Sequence, residues 1–395
     1  MNIGNRTGIM LAIANALSGI IWGANTVILS IYLLTIGVQP YLIGIIYSAF
    51  SLLSALGSII VGYLADKLDR IKLYVSLSTL NGTLFLLFVT ANPLIVSIAY
   101  LFTALLNRNV ISTTILGEYA RQQKLSENIF SLSSSLNIGF SVIGSLIASL
   151  PTYMNMKGYY LIFIIESLSI YSSIPLILKA EKELPPYSEY KPKLSAILKL
   201  KSNWLLKRLM PEALIGLGAG MIIPLFSLWF YIKFNVNIAH LSTVYAISNA
   251  TLALGTLSSP LASKILKSRV NTITILQGSA TTLLILIATT NNLTTALTLF
   301  IIRNTLMNMA NPLLTALIND LTPEEERGRV FGIWNTLSSI PRALGPGIGG
   351  YLINIGHIDT PLYITATLYS LAITLFYTLL KKPEKLLTKQ PLTST

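Results

Sequence analysis

The chain contains no cysteine, and its only two histidines, His240 and His357, lie far apart. Disulfides, thiolate metal sites and thiol catalysis are therefore excluded. Two isolated histidines make no metal cluster, so neither a metal nor a cofactor is expected. Charge is scarce as well. Only 11% of the 395 residues are Asp, Glu, Lys or Arg, whereas 53% are hydrophobic. A soluble protein carries about a quarter of its residues as charges. Acids are the scarcest, 15 against 28 Lys and Arg, which leaves a formal net charge of +13. This composition belongs to a polytopic membrane protein. Its spans should be helices, because lipid offers no partner for an unpaired backbone group.

Charges and turn signals mark off twelve apolar runs: residues 7–34, 41–64, 73–90, 94–117, 129–150, 159–178, 209–231, 241–262, 270–289, 294–319, 330–353 and 361–380. About 20 residues suffice to cross the hydrocarbon core. The cations then fix an orientation. With the N-terminus inside, 23 of the 28 Lys and Arg fall in cytoplasmic segments, and only Lys157 and Lys233 fall outside. That asymmetry is a positive-inside signature and predicts that both termini are cytoplasmic; the expected location is the plasma membrane. It also explains the net charge without nucleic-acid binding.

The predicted fold is an all-α membrane protein of twelve transmembrane helices in two pseudo-symmetric six-helix bundles. The expected domains are residues 1–178, a cytoplasmic linker at 179–208, residues 209–380, and a cytoplasmic tail at 381–395. The linker holds Pro185-Pro186 and Pro192. Its second half sets Leu194, Ile197, Leu198, Trp204 and Leu205 among lysines, the pattern of an amphipathic surface helix. A shift of 198 residues lays the second run on the eighth. Tyr47 meets Tyr245, Ala55-Leu56-Gly57 meets Ala253-Leu254-Gly255, and Asp66 meets Lys264. Such duplication is common among transporters.

Between the second and third runs stands Gly62-Tyr63-Leu64-Ala65-Asp66-Lys67-Leu68-Asp69-Arg70-Ile71-Lys72. This stretch resembles the signature loop of the major facilitator superfamily of secondary transporters. Gly62, Leu64, Ala65, Asp66, Arg70 and Lys72 match, while Asp69 stands where that family usually has glycine. The resemblance implies a cytoplasmic latch. Asp66 would be its acceptor near the start of helix 11, Arg70 the cationic partner, and Gly62 the close-packing point on helix 2. In helix 11, Gly332, Pro341, Gly345-Pro346 and Gly349-Gly350 resemble the glycine-rich motif of drug and metabolite exporters. Physically, glycines at this spacing let helices approach closely.

Charges inside the spans carry the functional reading, since an ionisable group at the bilayer centre costs at least ~2.5 kcal/mol. Arg108 lies in helix 4 and Arg303 in helix 10, with Arg342 in helix 11. The family resemblance implies that helices 1, 4, 7 and 10 line a central path. Arg108 and Arg303 then either face that path or lock helices together through polar neighbours. Glu166 in helix 6 either pairs with Arg342 or Arg108 or titrates. Trp22 and Asn25 in helix 1 are uncharged candidates. No clustered nucleophile or paired acids suggest an enzyme. The expectation is a monomeric secondary transporter moving a small solute by alternating access. An organic anion is the first candidate, a proton-coupled multidrug efflux carrier is the alternative, and a proton is the candidate coupling ion.

Overall fold

A computed structural model describes residues 6–123, 126–181, 202–323 and 326–387. The proposed surface helix lies mostly outside these residues. Twelve helical spans are present among the described residues. Nine are long and apolar enough to cross a membrane: Arg6–Thr35, Pro40–Lys67, Arg70–Thr90, Pro93–Gln122, Asn128–Met154, Met156–Ala180, Trp204–Phe234, Arg269–Thr289 and Thr360–Glu384. These are spans 1–7, 9 and 12. Spans 8, 10 and 11 are the long but less apolar helices Ile238–Leu266, Leu293–Leu321 and Arg327–Asn354. No strand occurs among the described residues.

Local chemistry sets the ends of these helices. Asp69 caps span 3, its Oδ1 accepting from the backbone N–H of Ile71 at 2.9 Å and of Lys72 at 3.0 Å. Asn92 caps span 4 in the same way through Leu94 and Ile95. Such caps satisfy N–H groups left over at a helix start. Pro40 and Pro93 occupy first-turn positions, where the missing N–H costs nothing. Span 1 ends on Gly37 at φ +97° and span 11 on Gly356 at φ +86°. In both, two N–H groups fold back onto the final carbonyls, a closure that requires a left-handed residue.

The chain forms two compact units. Unit 1 comprises Met1–Gln39, Ile46–Lys191 and Phe230–Ala250, and unit 2 the remainder. Unit 1 centres on a cluster that includes Leu11, Tyr74, Leu77, Ile115, Leu116 and Tyr119. In unit 2 the corresponding cluster includes Leu205, Leu209, Val270, Ile273, Leu314 and Phe376. The buried leucines of 205–209 thus belong to the core of unit 2.

Each unit contains the same tight helix crossing. In unit 1 a Cβ on Gly19 would lie 2.2 Å from Asn137 O, and one on Gly23 2.0 Å from Ser141 O. In unit 2 a Cβ on Gly216 would lie 2.1 Å from Ser338 O, and one on Gly220 2.1 Å from Arg342 O. The glycines recur 197 residues apart and their partners 201 apart. Gly345 and Gly349 of span 11 press on Gly220 and Met221. The glycine run of span 11 is therefore a packing surface.

Candidate functional site

Span 4 is interrupted inside the bundle. Its first helix ends at Leu105 and its second begins at Arg108. The free carbonyl of Leu106 accepts from Asn81 Nδ2 at 2.8 Å, and Asn107 Nδ2 donates to Ser58 Oγ at 3.0 Å. Span 2 comes close enough that a Cβ on Gly57 would sit 2.3 Å from Leu105 O. Unwound backbone at membrane depth is tolerated when protein groups satisfy it, as they do here.

Arg108 opens the second helix of span 4 and is 6% exposed. Its Nη1 donates to Tyr74 Oη at 3.3 Å and Ser173 Oγ at 3.4 Å. Tyr74 in turn donates to Ser173 at 2.6 Å. The guanidinium is thus held by hydroxyls of spans 3 and 6, inside unit 1. Arg303 is still more buried, at 1% exposure, with its guanidinium 5.9 Å from the centre of the Tyr369 ring. Its Nε and Nη2 have no hydrogen-bond partner among the described residues. Neither arginine forms an ion pair among the described residues.

Glu166 is fully buried in span 6, and neither carboxyl oxygen has a formed hydrogen bond among the described residues. The expected pairing with Arg108 or Arg342 is not present. Arg108 is engaged by Tyr74 and Ser173, and Arg342 belongs to unit 2. The polar neighbour of Glu166 is instead Asn25 of span 1, whose Oδ1 is also buried without a partner. The phenol of Tyr100 is within electrostatic reach, and its ring stacks on Phe50 at 4.2 Å. Trp22, one turn before Asn25, is 53% exposed.

Arg342 is exposed, and its acidic neighbour is Glu212, in the first turn of the helix Pro211–Ile222 within span 7. Glu212 is 7% exposed, with the Trp334 indole beside it but no formed hydrogen bond from Nε1. Sequence reasoning overlooked Glu212 because it stands near a span end. The repeat could have found it: Glu212 lies 197 residues after Asn15, which donates to Ser133 Oγ at 2.9 Å.

The loop between spans 2 and 3 is held by an ion pair and a helix cap. Arg70 pairs with Glu118 at the end of span 4, not with Asp66. Asp66 sits in the last turn of span 2, the negative end of the helix dipole. The cap is Asp69, and Asp66 makes no hydrogen bond or ion pair among the described residues. A Cβ on Gly62 would meet open space, so the close approaches of span 2 occur at Gly44 and Gly57 instead. Unit 2 repeats the arrangement. Ser268 caps span 9 through Asn271, and Arg269 pairs with Asp320 at 2.5 Å. Asp66 itself has only Lys264 as counterpart, so the ion pair and cap recur while the family-type aspartate does not.

Twelve helical spans, a few arginines and carboxyls buried within each unit and a duplicated helix crossing describe an integral-membrane protein. The chain belongs to the major facilitator superfamily, which it matches over residues 11–346 and 212–394. It is 26% identical over 176 residues to the quinolone resistance protein NorA of Staphylococcus aureus, a match covering 44% of each chain. Among solved structures, a bacterial homologue of the human lysosomal transporter Spinster superposes with a TM-score of 0.78 at 13% identity, covering both chains fully. The nucleoside transporter NupG gives 0.74 at 14% identity, covering 98% of this chain and all of NupG. At these identities the structures establish the fold alone.

Proposed function

We propose that this transporter is a secondary exporter of small amphipathic organic solutes, cationic or zwitterionic. It works by alternating access as a monomer in the plasma membrane, with both termini cytoplasmic. The observation that carries this reading is the burial of both interior arginines within their own units. Arg108 spends its Nη1 on two hydroxyls, and Arg303 lies beside an aromatic ring. A guanidinium that recognises an anion has to offer the planar edge of its fork to the solute. The interior carboxyls, Glu166 and Glu212, are the charges left for coupling or cation recognition. The partial similarity to NorA, named for quinolone resistance, supports export.

A second reading, transport of an organic anion, is favoured by the unpartnered Nε and Nη2 of Arg303. A panel of cationic, zwitterionic and anionic solutes, assayed in proteoliposomes with wild type, Arg108→Gln and Arg303→Gln, separates the two. The exporter reading expects wild type to move cations or zwitterions, and both variants to keep that flux within about threefold, less than 1 kcal/mol. Anion flux in wild type that either variant abolishes would replace it with the second reading.

A further inference from the structure

We propose that Arg303 binds a single halide ion, chloride in the cell, on the edge formed by its Nε–H and Nη2–H. The ion is a resident counter-charge inside unit 2, not a transported solute, so the inference stands apart from the exporter reading.

An uncompensated positive charge leads there. A guanidinium stays charged inside a protein, and a buried charge persists when it is paired and hydrogen-bonded. Arg303 is 1% exposed, and its Nε and Nη2 have no partner among the described residues. Those two donors lie side by side on one edge of the planar fork, the arrangement that takes an anion through two hydrogen bonds. The Tyr369 ring, which fits where Gly218 leaves room for it, lies 5.9 Å from the guanidinium. That is close to the limit of a cation–π contact, and a neutral ring cancels no charge. Arg108 is served differently, with its Nη1 on the hydroxyls of Tyr74 and Ser173. One negative ion at Arg303 resolves both the charge and the two donors.

No carboxylate of unit 2 supplies that charge among the described residues. Asp320 pairs with Arg269 at 2.5 Å and lies seventeen residues along the same helix, about 25 Å away. Glu326 accepts from Ser202 Oγ at 2.6 Å, Asp359 from Trp229 Nε1 at 3.0 Å, and Glu384 from Ser268 Oγ at 2.6 Å. Glu212 has Arg342 as its charged neighbour. Arg303 itself sits ten residues into Leu293–Leu321, about 15 Å from the nearer helix end. The duplication offers no precedent either. The caps Asn92 and Asn292 align the copies 200 residues apart, which sets Thr103 opposite Arg303. Thr103 donates to the Tyr100 carbonyl, so this cation is peculiar to unit 2.

Enclosure selects the ion. A halide is one atom and accepts both N–H groups at once. A carboxylate brings two oxygens with about four lone-pair sites, which ask for further donors. The Tyr369 ring belongs to an apolar cluster with Ile215, Ala219, Ala372 and Ile373, whose side chains offer none. Arg303→Gln removes the charge that calls for the ion. Arg303→Lys keeps that charge as a point and loses the fork.

The test uses the full chain, purified in detergent, with gluconate as the reference anion at constant pH and ionic strength. Equilibrium dialysis against radioactive chloride should find a single saturable site in wild type. Arg303→Gln should weaken binding at least tenfold and Arg303→Lys at least threefold, while Arg108→Gln should bind as wild type does. Wild type should also unfold about 3 °C higher in about 0.1 M chloride than in gluconate, a shift that Arg303→Gln should lack. No saturable site in wild type, or unchanged binding in Arg303→Gln, overturns the proposal. Acetate that binds more tightly than chloride, with the same dependence on Arg303, overturns the halide assignment and gives the site to a carboxylate. Chloride flux in proteoliposomes above that of empty vesicles, and lost in Arg303→Gln, overturns the resident role. If Arg303→Gln fails to fold, Arg303→Lys decides, since wild-type chloride affinity in that variant overturns the proposal. None of these outcomes bears on solute export, which the solute panel tests separately.

Discussion

At the scale of single residues, two ion pairs in equivalent places differ in how far water reaches them. The Arg70 and Glu118 side chains are 13% and 34% exposed, those of Arg269 and Asp320 37% and 44%. Solvent screening weakens the second pair, and exposed pairs contribute at most about 1 kcal/mol. A double-mutant cycle of Arg70→Ala and Glu118→Gln, read by denaturant unfolding in detergent, should give a coupling of about 1 kcal/mol. The cycle on Arg269 and Asp320 should give less than about 0.5 kcal/mol. Equal couplings would mean that exposure does not set their worth. The Arg70 partner was not legible in sequence, because Glu118 lies 48 residues away and only folding brings it near. Asp69 was legible in principle. An aspartate directly before a helix start is a cap by its chemistry, but resemblance to a family loop drew attention to Asp66 instead. Asp69→Ala should cost about 1 kcal/mol in the same assay, and an unchanged midpoint would show the cap to be idle.

At the scale of elements, the crossing of spans 1 and 5 and that of spans 7 and 11 rest on backbone contact. A methyl group at Gly23 or Gly220 would fall about 2 Å from a carbonyl oxygen, so one helix has to move. Overpacking of this kind costs about 1–3 kcal/mol. Gly23→Ala and Gly220→Ala should each lower the unfolding midpoint accordingly. Gly62→Ala, facing open space, should be neutral or gain up to about 1 kcal/mol from helix propensity. If Gly62→Ala proved the most damaging of the three, the packing account of these glycines would be wrong. The spans themselves were readable from apolar length and charge spacing: the run at 41–64 becomes Pro40–Lys67. The interruption of span 4 was not. No proline or glycine marks residues 105–108, and the break depends on Asn81 of span 3 satisfying the Leu106 carbonyl. Long-range partners of this kind leave no periodic signal.

At the scale of the whole molecule, the duplication binds these observations together. The cap, the ion pair and the glycine crossing each recur about 200 residues on, at offsets of 197 to 202. Two copies joined in one chain with six spans each have the same orientation only if each copy crosses the membrane an even number of times. The cation map agrees, placing basic residues beside the same ends of spans 2 and 8, at Arg70 and Arg269. Because the chain has no native cysteine, this orientation can be read one residue at a time. Tyr153, at the end of span 5, and His357, between spans 11 and 12, are exposed. As cysteines in intact cells they should react with an impermeant thiol reagent added outside. Lys72 at the start of span 3 and Lys382 near the end of span 12 are exposed as well. Cysteines there should stay unmodified until the membrane is permeabilised, then react fully. Outside labelling of Lys72→Cys with protection of Tyr153→Cys would invert the topology, and a mixed pattern across the two copies would break the argument from duplication.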